Sequence, residues 1–295
     1  MKRTFLFATA IVVSFLTPWA RSADPLELKL PNTKGSFRFA VIGDTGTGDQ
    51  RQRDVGAMLE RYREATEFET VVMMGDNLYG GESPKDFRDK FEVPYAPLLS
   101  KGVKFYATLG NHDNPNQSSY EKFNMKGQRY YTFRPRDGIR FFVLDSTYLD
   151  KKELDWLEKE LSVSGSEWKI AYFHHPLYSS GETHGSAIEI RKVLEPLFLK
   201  YGVSLVLSGH EHFYERIKPQ KGIQYFVVGG SAKVRKGDIQ KTDLTAKGYD
   251  SDNSFMLCEI DKDTLYFQAI SRTGITIDSG SFERVDAPKA QSAAQ

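Results

Sequence analysis

From residue 36 onward the apolar positions follow two alternating rhythms. Short runs rich in aromatic and β-branched residues, at 37–42, 70–74 and 103–109, read as buried strands, the first two stopped by a glycine. Between the first two, 50–63 carries Val55, Met58, Leu59 and Tyr62 at helical spacing. Residues 86–99 also read as helical, but Pro94 and Pro97 must break or bend that helix, because a proline ring removes a backbone donor and clashes with the preceding turn. The runs 130–133 and 139–144 flank Arg136-Asp137-Gly138, a hairpin signal. A helix is expected over 151–161, with Leu154, Leu157 and Leu161 on one face and Trp156 beside it. A strand over 168–173 follows, then an amphipathic helix over 187–201 bent at Pro196. Strands over 203–207 and 224–228 come next, and 255–260 with 265–270 form a second hairpin around Asp261-Lys262-Asp263. No repeat or linker interrupts 36–284. Alternating strands and helices followed by paired strands predict one α/β domain whose sheets are covered by helices.

The opening residues do not fit that domain. Lys2 and Arg3 precede an apolar run over 5–16, and Ala20-Arg21-Ser22-Ala23 supplies small residues for cleavage. The run is short for a membrane span, so residues 1–23 read as a secretory leader and the mature protein as secreted or periplasmic, with no membrane span. The organisation expected is then a leader over 1–23, an extension over 24–35, the domain over 36–285 and a disordered tail over 286–295. The full chain carries 40 basic and 39 acidic residues. Without the leader and its three basic residues the balance is 37 to 39, a net of −2, so bulk charge gives no argument for a nucleic-acid partner. One cysteine, Cys258, excludes an intrachain disulfide framework and a cysteine-rich zinc site. Its alternation with apolar neighbours marks it as inert.

The chemistry gathers where apolar strands end. Successive strands run into Gly43-Asp44-Thr45-Gly46, Gly75-Asp76-Asn77-Leu78-Tyr79, Gly110-Asn111-His112-Asp113, His174-His175-Pro176 and Gly209-His210-Glu211-His212. In open α/β sheets sites form just beyond the carboxyl ends of strands, so five such ends would build one cluster. All six histidines lie in or beside these motifs, the sixth being His184. Each motif alone is weak; a Gly-Asp pair is most often a turn. Together they offer oxygen from Asp44, Asp76, Tyr79 and Asn111 and nitrogen from His174, His210 and His212. That mixture suits first-row transition ions rather than calcium or a closed zinc site, and seven donors suit two ions sharing a carboxylate. Two ions about 3.5–4 Å apart can clamp the attacking and leaving oxygens of a phosphoryl displacement.

Over about residues 37–230 this ordered series, with Phe213-Tyr214-Glu215-Arg216 after the last motif, resembles the calcineurin-like metallophosphoesterases and, within them, the purple acid phosphatases. Most of the superfamily carries Asp-x-His in the first motif; here Gly46 stands in the third position, and Tyr79 stands three residues after Asp76 as in the purple acid phosphatase branch. The resemblance implies two mixed β-sheets packed as a sandwich between helices. It implies that Asp44, Tyr79 and His212 bind Fe(III), that Asn111, His174 and His210 bind a divalent iron, zinc or manganese ion, and that Asp76 bridges them. The implied reaction is hydrolysis of small phosphomonoesters by a metal-bound hydroxide. A phosphodiesterase or phospholipase on the same site, and a non-catalytic scaffold, remain the alternatives.

His112, next to Asn111, would sit at the rim and bind a phosphate oxygen or protonate the leaving alkoxide; the opposing reading makes it an orienting residue held by Asp113. The family's second rim histidine falls nine residues after that of the fourth motif, at Thr183. His184 comes one later and takes the role if the glycine-containing loop before it absorbs a residue. His175 is expected to be structural, and Glu215 with Arg216 to form a supporting ion pair. The long, Lys-rich stretch over 231–253 reads as solvated surface rather than as a mobile loop over the site.

Overall fold

The computed structural model describes residues 26–285. The expected leader over 1–23 and tail over 286–295 lie outside the described residues.

Thirteen strands are present among the described residues: β1 (Phe37–Ile42), β2 (Thr70–Met73), β3 (Lys104–Ala107), β4 (Tyr131–Arg136), β5 (Ile139–Val143), β6 (Trp168–Tyr172), β7 (Leu205–Ser208), β8 (Tyr214–Ile217), β9 (Gln224–Val228), β10 (Thr245–Tyr249), β11 (Ser254–Asp261), β12 (Thr264–Ser271) and β13 (Thr276–Glu283). They form a six-stranded sheet in the order β13-β12-β11-β1-β2-β3 and a seven-stranded sheet in the order β10-β8-β9-β7-β6-β5-β4. Both sheets are mixed. β1, β2 and β3 run parallel, as do β5, β6, β7 and β9, while the remaining pairings are antiparallel. The parallel strands deliver their carboxyl ends to one edge, and that edge carries every motif singled out above.

The sheets face each other across an aromatic core. Phe39 of β1 meets Phe141 of β5 edge-on at 5.3 Å between ring centres, and Phe226 of β9 meets Phe267 of β12 at 4.9 Å. A fully buried ring of this kind contributes about 2–3 kcal/mol through removal from water. Three helices complete the layers: α1 (Gln50–Thr66), α4 (Lys151–Ser162) and α5 (Ile188–Tyr201), with two short turns of helix, α2 (Pro84–Phe87) and α3 (Ala96–Ser100), between β2 and β3. Helix α1 lies against the six-stranded sheet through Tyr62, whose ring meets Phe255 at 6.0 Å. Leu157 and Leu161 of α4 and Leu194 and Phe198 of α5 cover Phe142, Ala171 and Val206 on the other sheet. The result is helix, sheet, sheet, helix. Local chemistry sets the helix ends: Asp49 accepts from the Gln52 amide at 3.0 Å, Asp150 accepts from Glu153 at 2.9 Å, and Gly202 closes α5 at φ 71°.

The expected break of the 86–99 helix is present: α2, a π-helical turn at Arg88–Glu92 and α3 stand in place of one continuous helix, with Pro94 between the turn and α3 and Pro97 in the first turn of α3. Two expectations need correction. The stretch over 231–253 is not plain solvated surface, since β10 within it pairs antiparallel with β8. Glu215 and Arg216 do not pair with each other, because neighbours on a strand point to opposite faces. The Glu215 carboxylate accepts from the Ser180 amide at 3.0 Å and the Thr245 hydroxyl at 2.5 Å, whereas Arg216 bonds Asp278 of β13 at 2.8 Å.

The segment before β1 is fastened by one buried carboxylate. Glu259 of β11 accepts from the amides of Asn32 and Thr33 at 2.7 and 2.6 Å and from the Ser36 hydroxyl at 2.6 Å, beside Arg38 across the ladder. Glu259→Leu strands these donors and should lower unfolding free energy by about 2–4 kcal/mol, measured by urea titration. A change below about 0.5 kcal/mol would mean the strap is held elsewhere.

Candidate metal centre

Two groups of donors meet at the common strand edge. On one side the Tyr79 hydroxyl lies 3.1 Å from Asp44 Oδ1, 2.9 Å from Asp76 Oδ2 and 3.3 Å from His212 Nε2. On the other, His174 Nε2 lies 2.9 Å from Asn111 Oδ1, 3.1 Å from His210 Nδ1 and 3.4 Å from Asp76 Oδ1. Asp76 therefore turns one oxygen to each group. All seven residues singled out for oxygen and nitrogen donors are brought together. Two separate sets of side chains, Asp44-Asp76-His212 and His174-His175-His210, have ligand atoms close enough to hold an ion.

The backbone is shaped to achieve this. Asp44, Asp76 and His210 all adopt left-handed conformations, at φ 54°, 50° and 67°. For residues with a Cβ these cost on the order of 1 kcal/mol or more each, and they turn each side chain back over its own strand end. The glycines beside them permit the crowding. A Cβ on Gly110 would stand 2.2 Å from Asp76 Oδ1. A Cβ on Gly46 would stand 2.2 Å from the Asn77 carbonyl oxygen. No histidine fits at position 46, and the Tyr79 amide bonds the Gly46 carbonyl at 2.9 Å.

Electrostatics makes the cluster incomplete as it stands. His174 Nδ1 faces the Met74 carbonyl at 2.8 Å; a carbonyl only accepts, so Nδ1 holds the proton and Nε2 presents a lone pair. That lone pair meets the oxygens of Asn111 and Asp76, which are acceptors too. Across the site, one Tyr79 proton faces two carboxylate oxygens. Burial, then the Asp76 charge, holds Asp44 well above the ordinary carboxylate range, and burial with both carboxylates pushes the Tyr79 hydroxyl up. Burial pushes His174 and His210 down and His212 down to about 4, the last helped by Arg235 and Lys233. Electron pairs aimed at one another, with imidazoles that resist protons, are satisfied by cations, and the hard-oxygen and imidazole set fits transition ions.

The supporting residues differ in detail from expectation. Asp113 does not hold His112. Its buried carboxylate accepts from the amides of Asn77 at 2.8 Å, Leu78 at 3.1 Å and Gly110 at 2.8 Å, tying the β2 and β3 loops together. Burial, then Asp76, pushes it up to about 7. The exposed His112 ring lies against Tyr79 with 5.1 Å between centres, while its amide bonds Asp76 Oδ1 at 3.0 Å. The His184 ring stacks on His210 at 4.3 Å, and its Nε2 accepts from Arg235 at 3.0 Å. Thr183 is turned away to Asp238, so the extra residue is absorbed in this loop. His175 packs on His210 at 4.5 Å and bonds the Ser146 hydroxyl through Nδ1 at 2.9 Å. Lys233 and Arg235 were not anticipated at the site. They follow the Gly229-Gly230 end of β9, the seventh strand end on this edge, and that position was their sequence signal.

This fold is that of a known class. Residues 37–214 match the family model for calcineurin-like phosphoesterases, and the chain belongs to that family. Within the family it falls in the purple acid phosphatase branch. It is 31% identical over 245 residues to purple acid phosphatase 4 of Arabidopsis thaliana, covering 70% of this chain and 71% of that protein. Purple acid phosphatase PPD1 from yellow lupin superposes with a TM-score of 0.70 at 21% identity, over 86% of this chain and 55% of that one. GAP50, described as the anchor in the inner membrane complex of Plasmodium, superposes with a TM-score of 0.71 at 21% identity, over 87% and 90% of the two chains. Among the described residues no helix is long and apolar enough to cross a membrane.

In the metal-free protein the His212 imidazole should titrate near pH 4 rather than near its ordinary 6.5, because burial and two cations oppose its charging. Imidazole resonances followed by NMR from pH 7 to 3.5 check this, and a midpoint at 6.5 would mean the ring is solvated. Gly110→Ala should cost the protein bound metal through displacement of Asp76, measured by equilibrium dialysis; unchanged metal affinity would mean the strand edge yields without moving that carboxylate.

Proposed function

We propose that the protein is an exported, two-metal phosphatase that hydrolyses phosphomonoesters. The observation that carries the reading is Asp76, with one oxygen on the Tyr79 side and the other on the His174 side of the cluster. Asp44, Tyr79 and His212 would hold Fe(III), and Asn111, His174 and His210 a divalent iron, zinc or manganese, with Asp76 shared. Bound there, two such ions supply Lewis acidity toward a phosphoryl oxygen and a nucleophilic water at mild pH. The Met74 carbonyl fixes the His174 tautomer so that Nε2 faces the metal position. His112, exposed at the rim, binds a phosphoryl oxygen or gives a ring proton to the leaving alkoxide oxygen. His184 accepts from Arg235 at Nε2, which leaves its remaining ring proton on Nδ1 for the substrate. Lys233 and Arg235 beside the metal positions favour a dianionic monoester over a monoanionic diester. The scaffold alternative is disfavoured by a donor set with no gap. Export rests on residues 1–23 and is tested by the mass of the protein recovered from outside the native cell, whose first residue should lie near Ala23 or Asp24.

His112→Ala should lower kcat for a phosphomonoester by roughly 10²–10⁴-fold with both metals retained. Wild-type turnover in the metal-loaded variant would remove His112 from proton transfer. Tyr79→Phe keeps the ring and deletes only the ligating oxygen. The oxidised, iron-loaded protein should be pink to violet through charge donation from the phenolate to the ion, and this variant should be colourless. Unchanged absorption and iron content would sink the ferric-phenolate assignment. Comparing hydrolysis of p-nitrophenyl phosphate with its bis ester tests the monoester preference, and faster diester cleavage would reverse it.

A further inference from the structure

Two cations from the 231–253 stretch flank the donor cluster without a full set of partners. Lys233 Nζ stands 3.4 Å from the centre of the Tyr79 ring and has no carboxylate within ion-pair distance among the described residues. Arg235 reaches the other side, where Nη2 donates to His184 at 3.0 Å. Its Nη1 lies 3.5 Å from Glu211 Oε2, yet neither atom makes a hydrogen bond of proper geometry, and both are shielded from solvent. The cations thus bracket both halves of the site, with donors left to give.

The segment that carries them is fastened rather than loose. The Arg235 amide bonds the His212 carbonyl at 3.1 Å, and the Ser231 amide bonds Gly43 at 3.2 Å. Beyond them the Glu182 amide bonds Asp238 at 2.9 Å, Gln240 bonds Ser180 at 2.8 Å, and Gly181 bridges Ile239. Holding a lysine and an arginine next to positions meant for cations is repulsive unless an anion is shared, and a fixed donor array loses little entropy when one arrives. One monoester phosphate can be satisfied by two ions and a rim histidine. The two extra cations fit a larger anionic load.

Resting on the phosphatase reading above, we infer that Lys233 and Arg235 form a second anion subsite, which selects phosphate esters whose leaving group carries another negative charge close to the scissile phosphate. The second charge, a carboxylate or a further phosphate, lies on the side of the site covered by the segment after β9. Lys233 contributes a point charge and Arg235 the directed donor of Nη1. These are specificity-determining residues.

The test compares two probes that differ in one charge, phosphonoacetate and phosphonoacetamide, in which a neutral amide replaces the carboxylate. Calorimetric titration of the metal-loaded full chain reads their affinities without turnover. The wild type should bind phosphonoacetate about tenfold more tightly. Lys233→Met and Arg235→Met should each bring that ratio below about three, with metal content unchanged, while Lys233→Arg and Arg235→Lys should preserve most of it. An equal affinity for both probes in the wild type overturns the subsite, as does a preference that survives both Met variants, which would mean the carboxylate binds a metal directly. Loss of metal from the Met variants also overturns it and makes the two residues counter-charges for the carboxylate cluster. If the metal-loaded wild type binds neither probe, the phosphatase reading itself fails.

Discussion

Lone pairs directed at lone pairs are the constraint on which this structure turns. Around His174 Nε2 stand the oxygens of Asn111 and Asp76, and the ring's own proton is committed to the Met74 carbonyl. Around the Tyr79 hydroxyl stand two carboxylates, and its proton serves only one of them at a time. Burial then raises Asp44 and lowers the imidazoles, so titration cannot relieve the conflict without a penalty. A cation in each half would relieve both at once, and the positive charge that the ions bring would then attract a phosphate.

Holding such a cluster requires a stiff frame, and the sandwich supplies it. The aromatic interior between the sheets locks β1, β2 and β3 against β5, β6, β7 and β9, whose carboxyl ends lie along one edge. Against that rigidity the left-handed turns at Asp44, Asp76 and His210 persist, although each alone is unfavourable. Asp113 joins two of the loops by accepting their amides, and Glu211 joins two more through the Gly185 amide at 2.6 Å. The burial that makes Glu211 effective there also pushes its carboxyl up to about 7.

Much of this was legible in the residues. The parallel strands announced themselves as apolar runs, and the polar motif after each named the edge at which they converge. Gly46 with Tyr79 was legible as a pair, and the structure adds the reason: the Asn77 carbonyl occupies the space a side chain at 46 would need. Strands β8, β10 and β13 were not legible. β13 is an edge strand carrying Asp278, Ser279, Gly280 and Ser281, and its place is set by register with β12 rather than by its own pattern. The pairing of Arg216 with Asp278 depends on that same register, which no local reading of Glu215-Arg216 could supply. Lys233 and Arg235 looked like solvated charge because an interval of lysines between strands usually is. Only the fold brings them beside Tyr79 and His184.

If the two donor groups hold an ion each, with Asp76 between them, the protein binds two ions per chain. Metal analysis of protein purified from cells grown with iron, zinc and manganese, expressed as moles of ion per mole of chain, measures this. The expected ratio is two for the wild type, with a clear fall below two for Asp76→Ala. A wild-type ratio of one or less under saturating metal would rule out the paired site.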